Sequence, residues 1–544
     1  MTSTTPDLIL EGGRIWCGLG TAPVEALAVA GGRVLATGSA AEIGGLRGRG
    51  TRRIDLAGRL AVPGLNDAHM HLLPYGLAMA EVDLRPKTAP TLDRLLDALR
   101  ERAARTPPGD WVIGRGYDQF ELDVKRHPLR EELDAACPAH PVYIVRTDGH
   151  LAVANSLALE RAGIDEATAA PEGGLIERRD GRLTGLLAET ARELILAVMP
   201  RAAVAELVDA IERGGRDLLR HGITSCMEAA VGMRDGWAEM EAYQEAHRTG
   251  RLPVRTYATL MGDKARSILP EARERGLVTG AGDAMLRIGG VKIFTDGSVG
   301  GRTAAMTRPY LGGAADDRGI LCIPDDREVA AMVLDAHRAG YQLAVHAIGD
   351  AAIEQVIRAY EAALADTPAP GRRHRIEHCG WLRPDQMDRL VRHHILPAPQ
   401  PSFIYAFGDL YLTLAEAARV DACYPMRRWM DLGLHPSAST DCPVTEVAPL
   451  PNLFTMVTRK TNRGTVIGPE QRLSLDEALH AYTWCSAYAA REEGAKGRLA
   501  QGQLADIAVF DQDLFTLPPE AWLEARCDLT ILDGEVVFDR ENAA

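Results

Sequence analysis

Between about residue 60 and residue 500, short apolar runs alternate with segments whose apolar residues recur at helical spacing. This alternation is typical of βαβ units and predicts a mainly parallel sheet. Connecting helices are predicted at Asp325–Ala339, Ala351–Leu364 and Pro384–His393. The candidate strands are Leu60–Pro63, Ile223–Met227, Val254–Thr259, Arg287–Phe294, Gln342–Val345, His374–Ile376, Ile395–Ala398 and His435–Ala438. Their number suits a closed barrel, so the pattern predicts an α/β protein with a (β/α)₈ TIM barrel at residues 61–497.

Both ends of the chain have a different pattern, in which short β-like runs are separated by glycine-containing turns. Such runs fill residues 8–60 and return in Ile507–Phe510 and Leu529–Leu532. Because the termini of a domain often lie close together, we expect residues 1–60 and 498–544 to form one small β-sandwich domain.

The first and second candidate strands are separated by about 150 residues, far more than a crossover helix requires. We therefore expect an inserted subdomain at residues 84–215. Its predicted elements are a helix at Thr91–Arg105, strands at Trp111–Gly114 and Val142–Val145, and a hairpin around Gly173–Leu186.

Composition narrows the classes of function. A hydrophobic content of 46% with 25% charged residues is that of a globular protein. The net charge of −14 disfavours nucleic acid and anionic membrane surfaces as partners, which favours a small molecule. The nine cysteines form no Cys-x-x-Cys pair, and the chain contains neither a signal-like N-terminus nor an apolar run long enough to span a bilayer. We expect a soluble protein in the reducing cytoplasm.

Residues that can bind metal stand at the ends of the predicted strands. His69 and His71 follow the first strand, and on an extended backbone residues i and i+2 point the same way, so both can reach one ion. His346, His378 and Asp441 each stand just past a later strand, on the face where barrel enzymes build their active sites. Each residue alone is compatible with a structural role, but their convergence predicts a metal site.

Lys292 places a cation inside the apolar strand Arg287–Phe294. Burying an unpaired ammonium is costly, so the group needs a partner or must lose its charge. One alternative is an ion pair with a carboxylate such as Asp296. The other is carboxylation of the amine by carbon dioxide, which would create an anionic oxygen ligand able to bridge two metals.

The ordered set of His69, His71, Lys292, His346, His378 and Asp441 resembles the amidohydrolase superfamily. Further motifs resemble its YtcJ-like branch, which includes N-substituted formamide deformylases. These motifs are Arg146–His150, Asn155-Ser156, Asp296–Ser298, Arg302–Ala304, His346–Asp350, Glu377-His378 and Ser439–Asp441. The likeness runs from about Leu8 to Phe538 and includes the insertion.

The resemblance implies a centre with two divalent metal ions, for which zinc suits the ligand types. His69, His71 and Asp441 would hold one ion, His346 and His378 would hold the other, and carboxylated Lys292 would bridge them. A hydroxide between the metals would attack a linear amide of a small-molecule substrate.

The catalytic residues that the resemblance implies are Asp441 and His150. Asp441 would accept the proton of the nucleophile and deliver it to the leaving nitrogen, and His150 would hydrogen-bond the carbonyl oxygen. The expected substrate contacts are Tyr75, Tyr117, His150 and Arg302. Glu377 is expected to support its neighbours rather than to react.

Several alternatives stay open. Cys226 or Glu228, at the end of the second strand, would replace Lys292 as a ligand in a different kind of centre. Ester or lactone hydrolysis requires the same chemistry, whereas a deaminase would carry a His-x-x-Glu element that His346–Asp350 lacks. A non-catalytic metal-binding regulatory protein would be expected to lack a ligand, and none is missing. Apolar residues in the insertion are compatible with a homodimer.

Overall fold

A computed structural model of the chain describes residues 5–542, and this part contains three sheets. The strands in chain order are β1 Leu8–Ile15, β2 Val24–Ala30, β3 Arg33–Gly38, β4 Arg52–Asp55, β5 Leu60–Pro63, β6 Leu65–Met70, β7 Val82–Asp83, β8 Val112–Tyr117, β9 Val142–Arg146, β10 Leu151–Ala154, β11 Gly174–Arg179, β12 Arg182–Glu189, β13 Ile223–Val231, β14 Arg255–Met261, β15 Leu286–Phe294, β16 Leu343–Ala347, β17 Arg375–His378, β18 Leu396–Ala398, β19 Ile507–Phe510, β20 Cys527–Leu532 and β21 Glu535–Asp539.

Helices cover the outside of the barrel and connect its strands, and the largest apolar core lies between the helices and the strands. The α-helices in chain order are α1 Ala40–Gly44, α2 Leu72–Ala78, α3 Leu92–Ala103, α4 Arg130–Ala136, α5 Ser156–Arg161, α6 Glu193–Leu196, α7 Val204–Arg220, α8 Trp237–Arg248, α9 Leu269–Glu274, α10 Asp326–Arg338, α11 Asp350–Asp366, α12 Pro384–His393, α13 Ser402–Leu414, α14 Ala417–Asp421, α15 Met426–Asp431, α16 Leu450–Thr458, α17 Leu475–His480, α18 Ser486–Ala489 and α19 Pro519–Trp522. Within residues 5–542, no helix combines the length and the apolarity needed to cross a bilayer.

The barrel is a parallel sheet of seven strands in the order β18-β17-β16-β15-β14-β13-β6, which confirms the predicted fold class. The eighth predicted strand, His435–Ala438, forms no regular ladder. Its Pro436 has no N–H to donate, and the N–H of Ala438 donates to Ala481 O at 3.2 Å. The segment nevertheless nearly closes the barrel, because Ala68 N–H donates to Ala438 O at 3.2 Å.

The prediction that Leu60–Pro63 is the first barrel strand is wrong by one segment. This run is β5, which belongs to the sheet of the chain ends, and β6 is the first barrel strand. Both runs are buried throughout, but β5 is entirely apolar whereas β6 contains three polar residues, so the apolar pattern favoured β5. Gly64 separates them and packs closely on the barrel: a Cβ atom there would lie 2.1 Å from Thr224 Oγ1.

The two ends of the chain pair in one sheet, in the order β21-β20-β19-β5-β1-β2-β3, with β4 beside β1. Strand β19 runs antiparallel to β5. A buried ion pair attaches this sheet to the barrel, since Arg255 Nε, at the start of β14, lies 2.7 Å from Asp506 Oδ2.

The segment between β6 and β13 carries the third sheet, in the order β11-β12-β10-β9-β8-β7, with its own apolar cores. The helix predicted at Thr91–Arg105 is α3, and the predicted hairpin is formed by β11 and β12. This insertion lies against the loop that follows β15, where Ser298 donates a hydrogen bond to Asp148. It therefore meets the barrel at the carboxyl ends of the strands.

Candidate active site and metal centre

Three of the predicted ligands converge at one point. His69 lies in β6, and His71 follows as the residue before α2. Asp441 Oδ1 lies 3.2 Å from His69 Nε2 and 3.4 Å from His71 Nε2. Among the described residues, neither His69 Nε2 nor Asp441 Oδ1 has a hydrogen-bond partner, although both are buried. One ligand atom from each of the three residues lies within 4.8 Å of the others. Two imidazoles and a carboxylate in this arrangement fit a divalent cation.

Two further histidines lie beside this cluster. His346 is in β16 and His378 ends β17, with ring centroids 4.4 Å apart. The ring centroid of His378 is 4.9 Å from that of His69. Burial holds the pKa of both residues well below the usual value, so both rings are neutral at pH 7, as metal ligands must be.

Hydrogen bonds determine which nitrogen each ring leaves free. His378 Nδ1 donates to Gln400 Oε1 at 2.6 Å, so Nε2 keeps its lone pair. His346 Nε2 lies 3.2 Å from Gly297 O, a carbonyl that can only accept, so Nδ1 keeps its lone pair. Both rings therefore have one nitrogen available for a metal.

Lys292 is fully buried in β15, and no hydrogen-bond partner for its Nζ exists within residues 5–542. The predicted alternative of an ion pair with Asp296 is not present. Asp296 instead accepts backbone N–H groups, including that of Gly349 at 2.8 Å. Burial lowers the pKa of Lys292 to about 8, although the Glu377 and Asp441 carboxylates oppose this shift. An amine that loses its proton readily is the form that reacts with carbon dioxide.

Glu377 supports His69 rather than its neighbour in sequence. Its carboxylate accepts a hydrogen bond from His69 Nδ1, which leaves His69 Nε2 free to face Asp441. Arg375 donates to both oxygens of Glu377, each at 2.8 Å. Although burial alone would raise it, Arg375 and His69 lower the pKa of Glu377 to about 2. The carboxylate therefore stays charged and fixes the tautomer of His69.

The alternative ligands in β13 have other roles. Glu228 accepts hydrogen bonds from Leu73 N–H at 2.9 Å and from Tyr243 Oη at 2.6 Å. Its other oxygen lies 3.6 Å from His71 Nδ1, so it helps to orient that ring. Cys226 packs in the apolar core, and burial raises the pKa of its thiol. A neutral thiol is a poor ligand, which disfavours Cys226 as a replacement for Lys292.

The inserted subdomain brings His150 to the same place. Its ring centroid is 5.2 Å from that of His346. His150 Nδ1 lies 2.8 Å from Glu189 Oε2, and its backbone N–H donates to Asp148 at 3.1 Å. Although burial alone would lower it, the Glu189 carboxylate raises the pKa of His150.

A cavity lies between the insertion and the barrel, and His150, His378 and Asp441 are in its wall. The apolar part of the wall is formed by Val299, Ile348, Phe403, Phe407, Tyr411 and Val444. The α13 residues among these were not predicted from the sequence. The one available signal was that Phe403, Phe407 and Tyr411 recur every four positions and so share one face of a helix.

The structure does not bring three of the predicted substrate contacts to this cavity. Tyr75 Oη donates to Asp217 Oδ2 at 2.6 Å, between α2 and α7. Tyr117 is buried with its hydroxyl 3.0 Å from His127 Nδ1. Arg302 is paired with Asp317 and lies 5.3 Å from the ring centroid of Tyr310. Of the predicted substrate contacts, His150 is the one that lines the cavity.

The parallel barrel is nearly closed, and its strand ends bring imidazoles, a lysine and a carboxylate together beside a largely apolar cavity. These features define a class of proteins, the metal-dependent hydrolases built on TIM barrels. Comparison of the sequence narrows this class. The chain belongs to the amidohydrolase family, which matches residues 52–538.

Three curated relatives are similar over most of their length. The protein LONG AFTER FAR-RED 3 of Arabidopsis thaliana is 30% identical over 93% of this chain and 87% of its own. The putative amidohydrolase YtcJ of Bacillus subtilis is 29% identical over 90% of this chain and 91% of its own. An N-substituted formamide deformylase of Arthrobacter pascens is 28% identical over 95% of both chains. The predicted likeness to the YtcJ-like branch is confirmed.

A solved structure supports the fold. An uncharacterized metal-dependent hydrolase from Pyrococcus horikoshii superposes with a TM-score of 0.75 and is 27% identical. The match covers 94% of this chain and 99% of the other. The barrel, the insertion and the sheet of the chain ends are therefore an architecture that the two proteins share.

Proposed function

We propose that the protein is a metal-dependent amidohydrolase that cleaves the C–N bond of a linear amide, with N-substituted formamides as the first substrates to test. The observation that carries the proposal is the convergence of buried ligand atoms of His69 and Asp441 that have no hydrogen-bond partner in the described part of the chain, beside a cavity whose wall includes Asp441. The similarity to the Arthrobacter deformylase favours amides of this kind.

The proposed metal site has two halves. His69, His71 and Asp441 would hold one divalent ion, and His346 and His378 would hold the second. Carboxylated Lys292 would bridge them, and zinc suits this donor set. Divalent ions there would supply Lewis acidity toward the carbonyl group and a hydroxide nucleophile near neutral pH.

In the proposed reaction, Asp441 moves the proton. Its backbone N–H donates to His69 O at 2.8 Å, which fixes the carboxylate beside the two histidines. Although burial alone would raise it, the neighbouring His69 holds the pKa of Asp441 well below its usual value, so the carboxylate is ionised. Asp441 takes the proton of the attacking water and delivers it to the leaving nitrogen.

The remaining groups bind and orient the substrate. His150 donates a hydrogen bond to the carbonyl oxygen as this atom becomes negative. The aromatic face of α13 and the side chains of Val299 and Ile348 hold the apolar substituent and exclude water. Arg146 and Asp148 also line the cavity but are paired with each other at 2.8 Å, so a neutral amide with an apolar substituent suits this wall better than a charged one.

The experiment uses protein purified without added metal and then loaded with zinc. N-substituted formamides and esters with the same substituents are assayed with wild type, Asp441→Ala and the surface control Glu416→Gln. We expect amide hydrolysis that is abolished by a chelator and by Asp441→Ala but not by Glu416→Gln. Hydrolysis of esters alone would replace the amide proposal with an esterase. Turnover that is unaffected by Asp441→Ala would refute the assigned site.

A further inference from the structure

Glu189, the last residue of β12, has an unfavourable backbone conformation. Its φ and ψ of 50° and −126° lie in a region that residues with a side chain rarely adopt. Strand pairing holds it there: Glu189 is in register with Gly174 of β11, and its N–H donates to His150 O at 3.0 Å. Backbone strain that the surrounding structure maintains is found preferentially at functional sites.

Burial of the Glu189 side chain also reduces the stability of the fold. The carboxylate is nearly fully buried, at 4% exposure, and Oε1 has no hydrogen-bond partner in the described part of the chain. A buried acceptor without a partner destabilises a protein. The strain and the unpaired oxygen together show that this glutamate is not placed for stability alone.

The surroundings of Glu189 connect it to the reacting groups. Glu189 Oε2 binds His150 Nδ1, so the same residue holds His150 by its main chain and by its side chain. A Cβ atom on Gly297 would lie 2.1 Å from Glu189 Oε1, so the carboxylate packs directly on the loop whose carbonyl contacts His346.

We propose that Glu189 is a positioning residue for hydrolysis, which holds His150 with both ring nitrogens protonated, so that Nδ1–H donates to Glu189 and Nε2–H is left to donate to the substrate carbonyl in the cavity. This inference rests on the proposed function of His150. No proton is transferred in this step, because His150 only donates a hydrogen bond while Glu189 stabilises the positive charge of the ring. A consequence is that the active site is complete only when the inserted subdomain is docked on the barrel.

The first test compares the steady-state kinetics of wild type, Glu189→Gln, His150→Gln and the double variant. Glutamine keeps the shape of the side chain but removes its charge. We expect Glu189→Gln to lower kcat by about 10- to 100-fold, the range for residues that support a reacting group, with a much smaller change in KM. The double variant is expected to be no slower than His150→Gln, because each substitution alone disrupts the same hydrogen-bonded pair of Glu189 and His150.

The matched control is Glu177→Gln, on the adjacent strand β11, where Glu177 accepts a hydrogen bond from Thr184 at 2.6 Å and does not contact His150. Metal content and thermal midpoint are measured for every variant, since a merely structural role would change these values. Additive effects of Glu189→Gln and His150→Gln, or a kcat equal to that of wild type, would overturn the proposal.

A second measurement separates this inference from the proposed function. Histidine labelled with ¹⁵N reports the tautomer of each ring, and the His150 signal is identified by its loss in His150→Gln. We expect Nδ1 of His150 to be protonated in wild type and its signal to shift in Glu189→Gln. If wild type cleaves no amide, the proposed function fails, yet this spectrum still decides whether Glu189 controls His150. An unchanged signal in Glu189→Gln would refute that control.

Discussion

His69 Nδ1 is hydrogen-bonded to the carboxylate of Glu377, a residue 308 positions away in the sequence. The contact joins β6, at one edge of the barrel sheet, to β17, which lies next to the opposite edge. Arg375 strengthens it, because one of its nitrogens donates to Glu377 and also to Ala68 O at 2.8 Å. The orientation of His69, the first candidate ligand, thus depends on the sixth strand of the barrel.

We predict that Glu377→Gln weakens metal binding by about 10- to 100-fold, the usual effect of removing a carboxylate that orients a histidine ligand. The measurement is the metal retained per chain during titration with a chelator. Glu361→Gln, which changes a surface glutamate paired with Arg389, is the control and should retain metal like wild type. Equal retention by Glu377→Gln and wild type would mean that His69 needs no support from Glu377.

We predict that Lys292→Ala lowers the metal content from near two ions per chain to one or fewer, because the proposed bridge is lost. Elemental mass spectrometry measures the metal, and intact mass under non-denaturing conditions shows whether wild type carries one additional carbon dioxide. The matched control is Lys496→Ala, since Lys496 is also buried but is paired with Glu492 at 2.8 Å. A single metal that is unaffected by Lys292→Ala would exclude the bridged centre.

A buried pair of histidines predicts sensitivity of the fold to acid. Leu343 N–H donates to His374 Nδ1 at 3.0 Å, so His374 Nε2 carries the proton and donates to His337 Nδ1 at 2.8 Å. A second proton on His374 would point at that backbone N–H. Burial, followed by His337 and Arg372, lowers the pKa of His374 from 6.5 to about 3.

Between pH 6.5 and pH 3 the unfolded chain therefore binds a proton on His374 that the folded protein does not. The stability contributed by neutral His374 is present above pH 6.5 and decreases as the pH falls, by up to about 1.4 kcal/mol per pH unit. We predict that His374→Gln, which can still accept from Leu343, is less stable than wild type at pH 7.5 and that this difference narrows at pH 5.5. Denaturant unfolding of the metal-free proteins measures it, and a constant difference would contradict the prediction.

The cluster of candidate ligands could be predicted from the sequence because most of its members lie at or near the end of a barrel strand, and Asp441 follows the segment that nearly closes the barrel. His346, His378 and Asp441 needed no knowledge of loop conformation. The first strand was misplaced because β5 is a continuous apolar run, whereas β6 contains Asn66, Asp67 and His69 and resembles a loop in sequence. His69 and His71 were still correctly grouped, because their spacing does not depend on where the strand begins.

The contacts that hold His69 and His150 in place, and the wall of the cavity, could not be predicted, because they depend on contacts between distant segments. Glu377 was expected to support its neighbours in sequence, but nothing indicated that its partner is His69, and nothing near His150 indicates Glu189. Tyr75 was chosen for its position after the metal-binding pair, yet the start of α2 turns its side chain toward Asp217 on α7. Helix orientation at the rim is set by packing, which the local pattern does not contain.

The pairing of β5 with β19 has a consequence for how the protein is made. Val62 lies opposite Ala508 in this ladder, so β5 leaves the ribosome long before its partner is synthesised. Until then, one edge of an apolar strand has no partner and can join another chain instead. We therefore expect this edge to be a site of aggregation in nascent chains and of chaperone binding during translation.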